Sequence, residues 1–426
     1  MTAPADFPTR NLAAAAVSGE WAVRPLAARF RQATGTRGRW AADLARQLLH
    51  LFPPTPTDEA LVVQAFVADD RCRHLLTGSR RDVQRMFWTP ARMGPGRGWD
   101  VPALRTTVDL ADWLGVSPGD FDWLADSRGR NGRQPEPRLR HYTPRWVAKR
   151  GGRFRLIEVP KPRLKAIQRR ILHEILARIQ PHAAAHGFRP GRSVRTFVEP
   201  HVGRAVVWRT DLKDFFPSIP PSRVHAIFRT AGYPPPVCRS LTGLCTTSLP
   251  ADAPLPAPDV PVELYRSRHL PQGAPTSPAL ANLAAYRLDL RLNSWAAASG
   301  AAYTRYADDL AFSGGPDLGR RFRSVVWQII LEEGFRPNAA KSRWMPRAGR
   351  QHLAGVVVNV RPNVARAEYD ELKAILTNCV RYGPAGQNRT GASDFRAHLL
   401  GRIAHVASLN QGRGSKLHEL LARVEW

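Results

Sequence analysis

Several features that define whole classes of protein are scarce or missing in this sequence. There are only 4 cysteines, and none of them forms a Cys-x-x-Cys pair or stands at metal-ligand spacing from a histidine. This argues against a disulfide framework or a zinc module, and predicts buried thiols in a reducing compartment. No apolar run reaches the roughly 18–20 residues of a membrane span, which predicts a soluble, cytoplasmic protein without a membrane partner.

Lysine and the acidic residues are also scarce beside arginine. Only 7 of the 63 basic residues are lysine, and aspartate and glutamate together number 35, so the formal net charge is +28. A compositional bias explains arginine over lysine, but it does not explain the excess of basic over acidic residues. The charge therefore predicts a polyanionic partner, for which nucleic acid is the leading candidate. With 426 residues and 43% hydrophobic content, the chain is long and apolar enough for two or three domains.

The most informative segment is Tyr303–Ser313, where Asp308 and Asp309 lie between two runs that alternate as strands do. A hairpin here would place two carboxylates on a tight turn. Two unit charges about 4 Å apart repel by roughly 4 kcal/mol at an effective dielectric near 20, so the pair needs a cation, and Mg²⁺ prefers such oxygen ligands. The tripeptide alone is a weak signal, because Ala68–Asp70 repeats it in a helical pattern that we interpret as a solvated face.

Four further blocks surround this segment in chain order. They are a strand that ends at Asp211 and precedes Phe215 and Phe216, a Gly/Pro loop with Gln272 and Gly273, the run Gly334-Phe335 followed by Lys341, and an apolar stretch over 352–359. With these blocks the chain resembles the palm of reverse transcriptases, most closely the bacterial retron-type group, over about half its length.

The resemblance implies an α+β, right-hand polymerase fold with fingers, palm and a helical thumb. Residues 1–135 are predicted to form a helical N-terminal extension and linker, with helices at Trp40–Leu51, Glu59–Ala68 and Arg80–Phe87. Residues 136–360 are predicted to form fingers and palm, and residues 361–426 the thumb.

The resemblance also implies two-metal nucleotidyl transfer. By the family pattern, Asp211 and Asp308 bridge two Mg²⁺ ions, Asp309 lies nearer the outer shell, and the main-chain carbonyl of Leu212 is an additional ligand; Mn²⁺ is the alternative ion. One ion lowers the pKa of the primer hydroxyl, and the other holds the triphosphate and the leaving pyrophosphate. The alternative interpretation is three unrelated surface acids.

Phe216, Gln272 and Gly273 are implied nucleotide contacts. A bulky ring at Phe216 would collide with a 2′-hydroxyl and so select deoxynucleotides. The alternative is that Phe215 and Phe216 both fill the core. Neighbours on a strand point to opposite faces, which favours one ring in the core and the other at the nucleotide. A plain turn explains Gly273 but does not require Gln272.

Four basic residues are candidate phosphate contacts. Arginine forks match phosphate oxygens in bidentate fashion, and Lys341 resembles a palm lysine proposed to protonate pyrophosphate. In so basic a chain, a solvated surface position is the alternative for each. The four are Arg155, Arg163, Lys165 and Lys341.

Two elements depart from the retron pattern. Retron enzymes usually carry Asn-Ala-x-x-His where this chain reads Phe197-Val-Glu-Pro-His201, and Val-Thr-Gly where it reads Leu353-Ala-Gly. Both elements are associated with recognition of structured RNA, so we expect a divergent RNA partner or a sister lineage. The sequence shows no second acidic cluster that would indicate a ribonuclease H domain, and no Cys/His module that would indicate an endonuclease domain. We therefore expect removal of the template RNA to need a separate enzyme.

The resemblance implies an RNA-directed DNA polymerase that copies a structured noncoding RNA into DNA from dNTPs. It also implies a role in defence against phage, with an effector protein as a further partner. The alternative from another class is a maturase-like RNA-binding chaperone, which shares the fold and the charge. A pure binder, however, has no need of Asp211, Asp308, Asp309 and Gln272 together.

Overall fold

The computed structural model describes residues 7–18, 20–52, 59–77, 98–149, 152, 154–257, 260–389 and 391–426. The chain divides into two units, Met1–Arg92 and Met93–Trp426. The predicted helix Arg80–Phe87 lies outside the described residues. All four cysteines are buried and free, as expected. Within the described ranges, no helix combines the length and the apolar character needed to cross a membrane.

The first unit is helical. Its elements are α1 (Phe7–Val17), α2 (Val23–Thr34), α3 (Trp40–Leu51), α4 (Glu59–Ala68) and α5 (Asp70–Thr77). Helix α3 is amphipathic, because Ala41, Leu44, Ala45 and Leu48 recur at the spacing of one helix face and are all buried. The predicted bounds of α3 and α4 are confirmed.

The second unit mixes helices and strands. Its helices are α6 (Thr107–Leu114), α7 (Pro118–Ala125), α8 (Pro162–Glu174), α9 (Val194–Val198), α10 (Pro221–Thr230), α11 (Pro235–Cys245), α12 (Val262–Arg266), α13 (Ser277–Ala284), α14 (Tyr286–Ala298), α15 (Arg320–Glu332), α16 (Arg366–Tyr382), α17 (Phe395–Leu409) and α18 (Gln411–Ala422). Its strands are β1 (Tyr142–Ala148), β2 (Phe154–Pro160), β3 (Val206–Asp211), β4 (Ala302–Tyr306), β5 (Asp309–Gly314), β6 (Arg343–Pro346), β7 (His352–Leu353) and β8 (Val356–Val357).

The central sheet has the strand order β4-β5-β3-β6, and each pair is antiparallel. One aromatic side chain from every strand forms a continuous row across it. Tyr303 stacks on Phe312 at 4.9 Å between ring centroids, Phe312 on Trp208 at 5.2 Å, and Trp208 on Trp344 at 5.1 Å. Such pairs contribute about 0.5–1.5 kcal/mol each beyond burial. A one-residue slip would turn the row to the opposite face, so the row fixes the register.

The sheet lies between two apolar cores. Trp208 and Phe312 face a core that also contains Phe215 and residues of α10, α11 and α13–α15. Val207 and Ala311 face the other core, which the helices α16, α17 and α18 complete. Because apolar cores cover both faces of the sheet, polar side chains of its strands can meet solvent or a ligand only at the ends of the sheet.

Three parts of the second unit differ from their sequence-based description. Helices α6 and α7 pack into the first of the two cores, although they fall within residues 1–135, the predicted N-terminal extension and linker. The stretch 279–298 has the composition of one continuous helix, but it is broken at Ala285, which separates α13 from α14. The Pro/Ala-rich stretch 248–262 has the composition of a surface loop, but it is partly packed, since Leu249 is buried against Leu156 and Tyr265.

Candidate active site

Two chain segments bring the three predicted aspartates to one end of the sheet. Asp211 is the last residue of β3, and Asp309 is the first residue of β5 and its direct cross-strand partner. Asp308 lies in the turn that joins β4 to β5, and its carbonyl accepts a hydrogen bond from the Leu212 amide at 2.9 Å. The aromatic row that sets the register therefore also sets these acids beside one another.

Burial and mutual repulsion disfavour the charged form of this cluster. Burial and then the Asp211 carboxylate raise the pKa of Asp308. Burial, followed by the carboxylates of Asp308 and Asp211, raises the pKa of Asp309 to about 6. Raised carboxyl pKa values from these two causes are the electrostatic condition that a bound cation would relieve.

A pH-dependent stability follows for metal-free protein. The pKa of Asp309 is higher in the folded state (about 6) than its ordinary value of 3.8, so the folded state binds more protons and its stability falls as the pH rises through this window. Asp309→Asn removes this penalty. Urea unfolding in a chelating buffer should therefore show that the variant gains stability relative to wild type as the pH is raised from 4 to 7. A difference that does not change with pH would contradict the prediction.

A lysine and an asparagine from one loop hold the Asp211 carboxylate. Nζ of Lys341 lies 2.7 Å from Oδ1 of Asp211, and Nδ2 of Asn338 donates to Oδ2 at 3.1 Å. The Asn338 amide also donates to the Asp211 carbonyl at 2.7 Å. The Lys341 side chain is 51% exposed, so its ammonium is free to change partner at low cost.

The aspartates open into a cavity of about 460 Å³ that contains most of the predicted nucleotide contacts. The residues that line this cavity include Asp211, Leu212, Asp308, Arg155, Lys341, Phe216 and Gln272. Asp211 and Asp308 also line an adjoining cavity of about 360 Å³, and Asp309 lines only that one. The position of Asp309 is thus peripheral to the larger cavity.

The two adjacent phenylalanines take different environments. Phe215 is 4% exposed and contacts the core ring of Phe335 at 5.7 Å. Phe216 is half-buried, lines the larger cavity and lies 6.3 Å from Phe188, whose ring is 50% exposed. Phe188 lies in the Gly/Pro-containing segment His186–Ser193, which is the sequence signal that points to it.

The loop with Gln272 and Gly273 is fastened to the edge of β2. The carbonyl of Gln272 accepts a hydrogen bond from the Glu158 amide at 2.9 Å. Gly273 has φ 136°, and a Cβ there would lie 2.8 Å from the Glu158 carbonyl oxygen. Glycine is therefore required for this close approach, which carries Gln272 to the cavity.

Two of the predicted phosphate contacts lie elsewhere. Arg163, in the first turn of α8, forms an ion pair with Asp120 at 2.7 Å, and neither Arg163 nor Lys165 is among the residues that line the two cavities. Arg155, on β2, lines both. Contact of Arg163 or Lys165 with a nucleotide stays a prediction.

The donor set fits a hard divalent cation that shares its ligands with a substrate. Among the residues that the structure describes, no three His, Cys, Asp or Glu side chains are grouped closely enough to hold a metal by themselves. Mg²⁺ is usually bound through one or two carboxylates together with substrate phosphates and water, and not by an all-protein cage. Asp211 and Asp308 on an open cavity have this character.

His201, the one residue retained from the Asn-Ala-x-x-His pattern, is a structural residue in this fold. It is fully buried, and its ring nitrogens lie 2.7 Å from the Ser313 hydroxyl and 2.8 Å from the Thr304 hydroxyl. Burial, aided by the charge of Arg204, lowers the pKa of His201 to about 3. A neutral imidazole thus ties β4 and β5 together.

Comparison with known proteins relates the chain to one family. The family model described as reverse transcriptase (RNA-dependent DNA polymerase) matches residues 147–358. The chain is 41% identical over 328 residues to the retron Mx65 reverse transcriptase of Myxococcus xanthus, covering 75% of this chain and 72% of that protein. It is 30% identical over 293 residues to the retron Ec86 reverse transcriptase of Escherichia coli, covering 68% and 82%.

Proposed function

The chain belongs to the reverse transcriptase family, with retron enzymes as its relatives, and from that premise we propose that Asp211, Asp308 and Asp309 form its metal-dependent polymerising centre. The protein is an RNA-directed DNA polymerase of retron type. Members of this family depend on a divalent metal. The observation that supports the assignment of the centre is the carboxylate pair of buried Asp211 and half-buried Asp308, on a cavity that basic side chains also line.

Asp211 and Asp308 would each contribute a carboxylate to two Mg²⁺ ions, with the Leu212 carbonyl as a further ligand and Asp309 in the outer shell. Bound ions would acidify the primer 3′-hydroxyl and neutralise the triphosphate and the departing pyrophosphate. The end of β3 holds Asp211 and the β4–β5 turn, hydrogen-bonded to the Leu212 amide, holds Asp308, so little reorganisation would be needed when the charge of the transition state develops.

The remaining cavity residues would bind and orient the nucleotide. Arg155 would bind the triphosphate through bidentate hydrogen bonds from its planar guanidinium. Lys341 would exchange the Asp211 carboxylate for a phosphate oxygen, from which Nζ could protonate the leaving pyrophosphate. Phe216 would pack beneath the sugar, and Gln272 with Gly273 would contact the nucleotide and the template.

Gly273→Ala tests the role of the Gln272 loop. An alanine Cβ would lie 2.8 Å from the Glu158 carbonyl oxygen and would force a positive φ on an L residue. We expect a stability loss of about 1–3 kcal/mol and a several-fold rise in KM for dNTP, measured by urea unfolding and steady-state kinetics. Gly300→Ala is the control, since Gly300 also has a positive φ but no atom within 4 Å of the added Cβ. It should lose stability and keep its KM, and an equal KM in both variants would contradict the proposal.

The architecture can be related to a right hand. The sheet β4-β5-β3-β6 would be the palm, the hairpin β1–β2 with α8 the fingers, and the helices α16–α18 the thumb. Within the predicted extension over residues 1–135, the helices α1–α5 would form the extension itself, while α6 and α7 pack into the core of the second unit. These three helices, α16–α18, complete one core of the sheet, which would anchor the thumb to the palm.

We further propose that the template is a structured noncoding RNA, with dNTPs as the other substrate, and that the enzyme serves anti-phage defence with an effector protein. The test is to sequence nucleic acid that copurifies with the protein from its own host. Wild type should carry one RNA species joined to complementary DNA, and Asp308→Asn with Asp309→Asn should carry the RNA without the DNA. Heterogeneous RNA, or equal DNA in both preparations, would contradict the assignment.

A further inference from the structure

A fully buried arginine lies next to the turn that carries Asp308. Arg305 on β4 and Asp289 on α14 are both 0% exposed and form a bidentate ion pair, with Nε to Oδ1 at 2.7 Å and Nη2 to Oδ2 at 2.6 Å. The Tyr303 hydroxyl donates to the same carboxylate at 2.8 Å. Tyr303 and Arg305 are two residues apart on a strand and so share a face, which lets one helix residue bind both.

The remaining arm of the guanidinium reaches the turn itself. Nη1 of Arg305 donates to the side-chain oxygen of Asn282 at 2.9 Å and to the carbonyl of Ala307 at 3.0 Å. Ala307 has φ 56°, a left-handed conformation that is unfavourable for a residue with a Cβ. The bonded carbonyl belongs to the peptide that joins Ala307 to Asp308, so the guanidinium fixes the orientation of that peptide.

A second set of contacts to the same turn comes from the loop before α9. Gly187 packs so closely that a Cβ there would lie 2.6 Å from the Ala307 nitrogen. Nδ2 of Asn282 donates to the Gly187 carbonyl at 2.9 Å, and the His186 amide donates to the Arg305 carbonyl at 2.8 Å. Asn282 therefore contacts both the Arg305 guanidinium and the loop before α9, and these two together hold the turn.

Stability alone gives a poor account of this network. Desolvating two charges costs several kcal/mol per ion, and well-packed apolar side chains of similar volume are often neutral or stabilising replacements. An apolar set could fill the same space, but it could not hold the Ala307 carbonyl in one direction. We propose that Arg305, held by Asp289 and Asn282, is a positioning residue that fixes the Ala307–Asp308 peptide and so aims the Asp308 carboxylate. The inference rests on the proposed role of Asp308 as a metal ligand.

The test combines two independent perturbations of the turn. The triple variant Arg305→Met, Asp289→Leu and Tyr303→Phe replaces the network by apolar groups, while Gly187→Ala keeps the network and presses on the Ala307 amide. Both are compared with wild type in primer extension on RNA across a Mg²⁺ titration. In each we expect kcat to fall by about 10²-fold, the cost of a displacement near 1 Å at a reacting centre. The Mg²⁺ concentration for half-maximal rate should rise several-fold, whereas KM for dNTP and RNA affinity should stay unchanged.

Arg268→Met is the matched control for loss of a partly buried arginine. Arg268 forms an ion pair with Asp126 at 3.5 Å and donates to the Gly243 carbonyl at 3.1 Å, outside both cavities. It should lower the melting temperature and leave the Mg²⁺ midpoint unchanged.

Unchanged kcat and Mg²⁺ midpoint in a folded triple variant would overturn the inference. If that variant did not fold, Gly187→Ala would decide alone, and wild-type Mg²⁺ dependence in it would overturn the inference equally. Wild-type incorporation by Asp308→Asn would instead overturn the proposed function, so the two failures are distinguishable.

Discussion

Replacing Asp308 by asparagine is expected to slow dNTP incorporation on a primed RNA template by about 10³-fold or more, because several kcal/mol of metal-mediated charge stabilisation would be lost. The amide has nearly the volume of the carboxylate, so the turn between β4 and β5 should keep its shape. Pre-steady-state incorporation of one labelled nucleotide at saturating Mg²⁺ measures the effect on chemistry and leaves product release out.

Two neighbouring acids make the test specific. Asp214 lines the same cavity, and its carboxylate lies 3.8 Å from the Arg336 guanidinium. Asp214→Asn therefore changes the charge of the cavity by the same amount as Asp308→Asn. The rate of incorporation should fall by less than about tenfold, because a partly exposed ion pair contributes little. Asp309→Asn should fall between the two, since Asp309 lines only the smaller cavity. Equal losses at Asp214 and Asp308 would indicate a general electrostatic effect and contradict the metal-ligand assignment.

Phe216→Ala is expected to let the enzyme incorporate ribonucleotides. The half-buried ring lines the cavity beside Phe188, and a 2′-hydroxyl packed against it would be an overpacking clash of about 1–3 kcal/mol. Removing the ring should therefore lower the dNTP-to-rNTP ratio of kcat/KM by roughly 10- to 100-fold, at 1.36 kcal/mol per factor of ten. The measurement is single-nucleotide extension with each nucleotide supplied separately.

Phe188→Ala is the matched control, because it removes a second aromatic ring from the same wall. Phe188 is 50% exposed and lies on a loop outside the sheet, so its loss should affect both sugars alike. A ratio that stays at the wild-type value in Phe216→Ala, or that falls equally in Phe188→Ala, would contradict the sugar-gate assignment.

Local sequence patterns predicted several elements, among them the strand and the hairpin that carry the three aspartates. The recurrence of Ala41, Leu44, Ala45 and Leu48 along one helix face was enough to predict α3, and its bounds are confirmed. The alternation around Asp308 and Asp309 correctly predicted a hairpin. These features depend on neighbours in the chain, which is the information that a single sequence holds.

The contacts that shape the site join residues far apart in the chain. Lys341 and Asp211 are 130 residues apart, and a lysine after Gly-Phe gives no sign of its carboxylate partner. Arginine is seldom fully buried in proteins, yet Arg305 is fully buried against Asp289. The break at Ala285 follows no glycine or proline, so local helix propensity could not predict it. Pairing and burial of this kind are decided by tertiary packing, which overrides propensity.

The central claim is that the Ala-Asp-Asp turn performs metal-dependent copying of RNA into DNA. Its most direct test compares two double variants in labelled-dNTP incorporation on a primed RNA template with Mg²⁺. Asp308→Asn with Asp309→Asn changes the turn, and Asp69→Asn with Asp70→Asn makes the same change in the other Ala-Asp-Asp sequence, where Asp69 accepts a hydrogen bond from the Cys72 amide at the start of α5. The account predicts incorporation by wild type and the second variant, and none by the first. Equal incorporation by all three proteins would contradict it.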